Sequence, residues 1–199
     1  MEIAPVKCVM GERLPQAAQT HIALLRAINL GSKNKLPMKD LIEIFAAAGC
    51  CDVQTYILSG NVVFSAPGSL AARLPAEINA QVAKRFGFST PVVLRTALQL
   101  RQVFENNPFL KMGAPEETLH VMFLAEQPSR SAIASLDPER SAGDTFVVCG
   151  REIYLRLPNG VARSKLTNAY FDGKLATAST SRNWRTVAKL QELATAFAS

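Results

Sequence analysis

Apolar and polar positions follow two different periods along this chain, and the switches between them mark out its elements. Residues 21–30, HIALLRAINL, form a mostly apolar strand candidate, followed by the loop GSKNKLP. From Met38 to Ala48 the apolar side chains fall at 38, 41, 42 and 45, the spacing of one helix face. Pro37 suits the first turn of that helix and Gly49 its stop. DVQTYILSGNVVFSA reads as two β-rich runs around Ser59-Gly60-Asn61, a hairpin. Leu70 to Phe86 is helical in pattern and closed by Gly87, and PVVLR (91–95) is a further strand. The order to this point is β-α-β-β-α-β.

A connecting helix over 97–110 ends near Asn106-Asn107-Pro108. A second series follows: TLHVMFLA as strand, 130–136 as a short helix, TFVVCG and EIYLRLP as a hairpin, SKLTNAYFDGKL as helix and ATAST as strand. The same six-element order recurs, although no repeat of individual residues is visible. A last helix runs from about 183 to 197. The pattern predicts an α+β fold of two ferredoxin-like (β-α-β-β-α-β) subdomains with a C-terminal helix, each sheet antiparallel and covered by helices on one face. The expected boundaries are a loose lead-in over 1–19, an N-terminal subdomain over 20–96, a connecting helix and loop over 97–116, and a C-terminal subdomain over 117–199.

Composition narrows this picture little. Apolar content of 48% is that of a globular protein. No apolar run approaches the roughly 20 residues of a membrane span, and the first twenty lack a secretory core. A cytoplasmic protein with no membrane partner is expected. Cys8, Cys50, Cys51 and Cys149 include no C-x-x-C pair. With His21 and His120 in strand-like runs, they read as idle thiols in a reducing compartment rather than as a metal site. No cofactor is expected.

Charge changes the picture more. Between Arg151 and Lys189 stand eight basic and two acidic residues, which accounts for the whole formal charge of +6; the other 160 residues carry 14 of each sign. Basic side chains also recur where helices are predicted to begin, which a helix dipole disfavours by about 0.3–1 kcal/mol each. Lys33 and Lys35 precede the Met38 helix, Arg163 and Lys165 flank Ser164 as a candidate cap, and Arg182 and Arg185 follow Ser179-Thr180-Ser181. A bound anion would reverse the sign of that cost. On a helix, Arg182, Arg185 and Lys189 fall within about 60° of one another, with Val187, Leu190, Ala194 and Phe197 on the core side. Trp184 sits at the edge of this stripe, where it could stack on a base or instead join the core. Catalytic signatures are absent: no P-loop, no G-x-G-x-x-G, no paired carboxylates and no nucleophile elbow. Arg26 and Asn29 are unusual polar members of an apolar run.

The strings ALLRAINLGSKNKLPM, AAGCCDVQTYILSGNVVFS, RSKLTNAYF and STSRNWRTVAKL, in that order, resemble the domain-of-unknown-function 1697 family. The resemblance implies a cytosolic, mainly bacterial protein of two α+β subdomains and brings no established activity or catalytic residues. Its recurring blocks include Arg26, Asn29, Lys33, Lys35, Ser59, Asn61, Arg163, Lys165, Arg182, Asn183, Trp184 and Lys189. Where the family commonly has two glycines after the first strand, this chain has Gly31-Ser32.

The expected function is binding of a phosphate-bearing ligand, nucleic acid or nucleotide, by Arg163, Lys165, Arg182, Arg185 and Lys189, with Ser164 and Thr180 donating hydrogen bonds and Trp184 stacking. The rival is an enzyme acting on a small phosphorylated substrate between the halves, positioned by Asn29, Ser59 and Asn61. A third reading is a module that binds an acidic protein.

Overall fold

A computed structural model describes residues 18–197. The chain divides into two compact units: one runs to Leu100 and takes in the chain from Leu190 onward, the other is Arg101–Lys189. Of the expected lead-in, residues 1–17 lie outside the described residues, and Gln19 already belongs to the first strand.

The first unit contains β1 (Gln19–Leu25), α1 (Met38–Ala47), β2 (Cys51–Tyr56), β3 (Asn61–Ala66), α2 (Gly68–Phe86) and β4 (Val92–Thr96). Its sheet has the order β2-β3-β1-β4, with every neighbouring pair antiparallel. Alternation assigns the faces. Ala23, Leu25, Val62 and Phe64 meet Leu41 and Phe45 of α1 and Leu74 and Ile78 of α2 in one buried cluster, the arrangement that binary patterning dictates. Ile22, Leu24, Val63 and Val93, on the opposite face, are also buried. Gly87 ends α2 in the left-handed conformation at φ +76°, its N–H donating to the Ala83 carbonyl.

α3 (Ala97–Glu105) and a single turn, α4 (Pro108–Lys111), occupy the expected connecting helix. The break follows from Pro108, whose ring cannot continue a helix, and Asn107 restarts the chain by accepting from the Phe109 N–H.

The second unit adds β5 (Leu119–Leu124), α5 (Arg130–Ala134), β6 (Thr145–Cys149), β7 (Glu152–Arg156), α6 (Asn168–Leu175), β8 (Ser179–Asn183) and the start of α7 (Trp184–Phe197), with short 3-10 turns at Glu116–Thr118 and Val161–Arg163. Its order is β6-β7-β5-β8, again antiparallel throughout. Met122, Leu124, Ile153 and Leu155 pack with Phe171 and Leu175 of α6. The first expected strand proves shorter than HIALLRAINL: it stops at Leu25, and Arg26 and Asn29 lie in the following loop. No helix among the described residues is long and apolar enough to cross a membrane.

Candidate functional site

Two ends, one in each unit, gather the polar residues singled out by the sequence. In the first unit the β1–α1 loop and the β2–β3 turn are held together by asparagine side chains. Asn29 Nδ2 donates to the carbonyls of Leu36 and Leu58, both at 2.9 Å, and its Oδ1 accepts from the Leu36 N–H at 2.9 Å. Asn34 Nδ2 donates to the Ala27 carbonyl, and Asn61 Nδ2 donates to Ser59 Oγ and the Tyr56 carbonyl. These bonds support a costly backbone: Ala27, Asn29, Asn34 and Ile57 all have φ between +49° and +57°, a region non-glycine residues rarely enter. Asn29, Ser59 and Asn61 are therefore engaged in building the loops. Lys33 and Lys35 are exposed, and neither makes an ion pair among the described residues. A Cβ added at Gly31 would meet nothing within 4 Å, so this glycine serves its positive φ of +56° and not a close approach.

In the second unit, antiparallel register brings the C-terminus of β7, the N-termini of β5 and β6 and the C-terminus of β8 to one end: Arg156 pairs with both Leu119 and Thr145, and His120 with Asn183. Two hollows open there. One, of about 380 Å³, is lined by Glu116, Glu117, Asn183, Trp184 and Arg185. The other, of about 310 Å³, lies among Phe109, Met112, Pro115, Thr145 and Arg156. The loop bearing Arg163, Ser164 and Lys165 reaches the same end, where the Lys165 N–H donates to Ser141 Oγ at 3.1 Å and Ser141 Oγ donates to Asp144 at 2.6 Å. Arg156, Arg163, Lys165 and Arg185 form no ion pair among the described residues.

Several expectations for this end are overturned by where the elements begin. Ser164 is not the cap of α6: its Oγ accepts from the Leu166 N–H, while Thr167 caps the helix by accepting from Tyr170. Thr180 is a buried residue of β8, and the cap of α7 is Asn183, which accepts from the Thr186 N–H at 2.9 Å. Arg182 also belongs to β8, so it does not share a helical stripe with Arg185 and Lys189. It is buried, donates to Thr180 Oγ1 at 2.7 Å and the Ser181 carbonyl at 2.9 Å, and burial pulls its guanidinium down to about 10. Trp184 is 1% exposed and stacks on Phe104 at 5.3 Å with the rings 10° apart, so it is a core residue and not a free stacking platform. Lys189 is half-buried on α7.

Among the described residues no group of three or more His, Cys, Asp or Glu side chains is placed to hold a metal. Cys50, Cys51 and Cys149 form no disulfide among the described residues, and burial pushes Cys50 up to about 12, so it is a poor nucleophile. Cys8 lies outside the described residues.

The family described as "protein of unknown function (DUF1697)" matches residues 18–154. The chain belongs to this family. The matched span holds the asparagine-stitched loops, Glu116, Glu117 and the 310 Å³ hollow except Arg156, and it stops before the basic residues at 163–189. The solved structure of the conserved bacterial protein SP0830 from Streptococcus pneumoniae is similar at a TM-score of 0.68 and 21% identity, over 89% of this chain and 99% of that one. That likeness is one of fold. No curated protein matches the chain. Within the DUF1697 chain the carboxylates of Glu116 and Glu117 and the guanidinium of Arg156 line the candidate hollows, and the sequence alone does not point to them. The carboxylates stand in a short connecting turn and Arg156 in a strand, and only the tertiary structure puts the carboxylates in one hollow with Arg185 and Arg156 in the other.

Proposed function

We propose that the chain is a binding protein for a small phosphate-bearing ligand, a nucleotide rather than a nucleic-acid strand, held at the β7–β8 end of the second unit. The observation that carries the reading is the set of arginines without carboxylate partners, Arg156 and Arg185, each lining a hollow. A guanidinium fork suits a phosphate geometrically, and the first turn of α7 adds dipole and N–H groups to the anion's side. Glu116 and Glu117, lining the hollow with Arg185, can accept hydrogen bonds from hydroxyl or amino groups, which a sugar and a base both carry. Burial of Trp184 removes the aromatic expected to stack along a strand, and this favours a mononucleotide over a polymer.

We also infer that each half is ferredoxin-like, a reading supported by the strand orders and antiparallel pairing, and that the protein works in the cytoplasm, which the free thiols favour.

Thermal unfolding of the full chain with inorganic phosphate, nucleoside mono- and triphosphates and uncharged nucleosides tests the site. A bound nucleotide at a hundred times its Kd should stabilise by about 2.7 kcal/mol, and Arg185→Glu and Arg156→Glu should each abolish the shift. A panel without any shift, or a shift that survives both substitutions, overturns the reading.

A further inference from the structure

The first unit carries a different kind of surface, and the inference drawn from it does not rest on the nucleotide site. The two stitched loops hold outward three aliphatic side chains: Leu30 is 61% exposed, Ile57 51% and Leu58 68%. They belong together in space, because Asn29, beside Leu30, donates to the carbonyl of Leu58 itself at 2.9 Å. Leu30 also flanks a tight turn, in which the Lys33 N–H donates to the Leu30 carbonyl at 2.9 Å around Gly31 at φ +56°. Exposed leucines on a loose loop would fold back onto the core. Here the left-handed backbone at Ala27, Asn29, Asn34 and Ile57, fixed by six asparagine bonds, keeps them out.

The same end is basic. β1 and β2 finish there, α1 begins there and α2 ends there, so Arg26, Lys33, Lys35, Lys39, Lys84 and Arg85 collect around the tips. The nearby acids, Asp40 and Glu43, both face Arg85, at 3.0 and 3.6 Å. Lys33, Lys35, Lys39 and Lys84 are exposed and make no ion pair among the described residues.

We propose that this end is a peripheral docking surface for an anionic lipid bilayer, with Leu30, Ile57 and Leu58 entering the acyl boundary and the four lysines meeting the headgroups. A surface of this chemistry needs an apolar phase and negative charge in the same place, and an anionic bilayer supplies both. Nucleic acid supplies only the charge, and neither loop carries an aromatic side chain to stack. Protein interfaces are read chiefly through Trp, Tyr and Arg, with Lys depleted, whereas unbranched point charges and aliphatic tips carry little directional information and suit a fluid surface. The sequence expectation of no membrane partner rested on the lack of a spanning segment, which a peripheral contact does not need.

Co-sedimentation of the full chain with phosphatidylcholine vesicles, with and without phosphatidylserine, is the test. Binding should require phosphatidylserine and weaken with salt. The double variant Leu30→Ser/Leu58→Ser should lose roughly tenfold or more in affinity. Lys33→Gln/Lys35→Gln should lose about twenty-five-fold, near fivefold for each lysine. Both variants should melt as the parent does, the replaced side chains being exposed, and Arg156→Glu and Arg185→Glu should bind vesicles normally. Absence of binding to phosphatidylserine vesicles overturns the proposal, and so does binding that both double variants retain. Tighter capture of an amphipathic leucine–glutamate peptide than of vesicles, lost in the same variants, overturns it in favour of an acidic protein partner.

Discussion

The two units repeat one plan and spend their loops at opposite ends of it. Their equivalence reaches individual residues. His21 of β1 and His120 of β5 face the helical layer at matching places, opposite Thr96 and Asn183. One step along, Arg95 opposes Ile22 and Arg182 opposes Val121, both arginines are buried, and each donates from Nη1 to the carbonyl of the residue before it. The next residue caps a helix in both units: Thr96 accepts from the Gln99 N–H, as Asn183 does from Thr186. The loops then diverge. Residues 26–37 join strand to helix in the first unit, where 125–129 suffice in the second; the hairpin turns are 57–60 against 150–151; and the long connection 157–167 in the second unit answers to Pro67 alone in the first. A shared frame has thus been elaborated at the β1–α1 end once and at the β7–α6 end once, so the two units present different loop surfaces.

The sharpest break in that comparison is expected at the hairpin glycines. Gly60 has φ +75°, and an added Cβ would sit 2.8 Å from Leu25 Cβ and 3.0 Å from Ile28. Gly150 has φ +63° with nothing nearer than 3.8 Å. Gly60→Ala should therefore cost about 4 kcal/mol, from overlap and strain together, and Gly150→Ala about 1 kcal/mol, from strain alone. Urea unfolding of the two variants measures the difference, and equal costs would mean that the long loops are not pinned as described.

The buried arginines should come next. Arg95→Ala and Arg182→Ala are each expected to cost about 3 kcal/mol, since truncation leaves a cavity and unsatisfied carbonyls. Similar losses sharpen the equivalence of the units. A loss below about 0.5 kcal/mol for either arginine breaks it.

The smallest effect belongs to the histidines. Burial lowers both imidazoles from the usual 6.5, the bonds to the Ala66 and Thr118 carbonyls opposing it, and His21 Nε2 and His120 Nδ1 are left without hydrogen-bond partners. Below pH 6.5 the unfolded chain binds the extra proton more readily than the folded one, so stability present above that pH is lost as pH falls toward the folded values. The slope is at most about 1.4 kcal/mol per pH unit for each group. His21→Phe and His120→Phe should each flatten the fall in urea midpoint between about pH 7 and pH 5, and by similar amounts if the units are alike.

Much of the frame was legible before any coordinates. The 3.6-residue spacing through Leu41, Ile42 and Phe45, the stop at Gly87 and the Ser59-Gly60-Asn61 turn each put an element where the structure has one. The candidate site is less legible, because nearby charge and hydroxyl residues do not by themselves fix where a helix starts. Ser179-Thr180-Ser181 looks like a cap and is a strand, since β8 gains five backbone pairings with β5 that no local propensity reveals. Arg182 then changes from a surface cation to a buried one.

Local spacing, turn chemistry and charge count were sufficient for the α+β class, the doubled element order and the surplus of cations, because each depends on neighbours within a few residues. Which arginines are buried, which carboxylates stand beside Arg185, and that Leu30 and Leu58 share one tip were decided only by strand register and by side-chain bonds such as that of Asn29 to the Leu58 carbonyl, 29 residues away in the chain. Those pairings join distant segments, and their energy exists only once the sheets have formed.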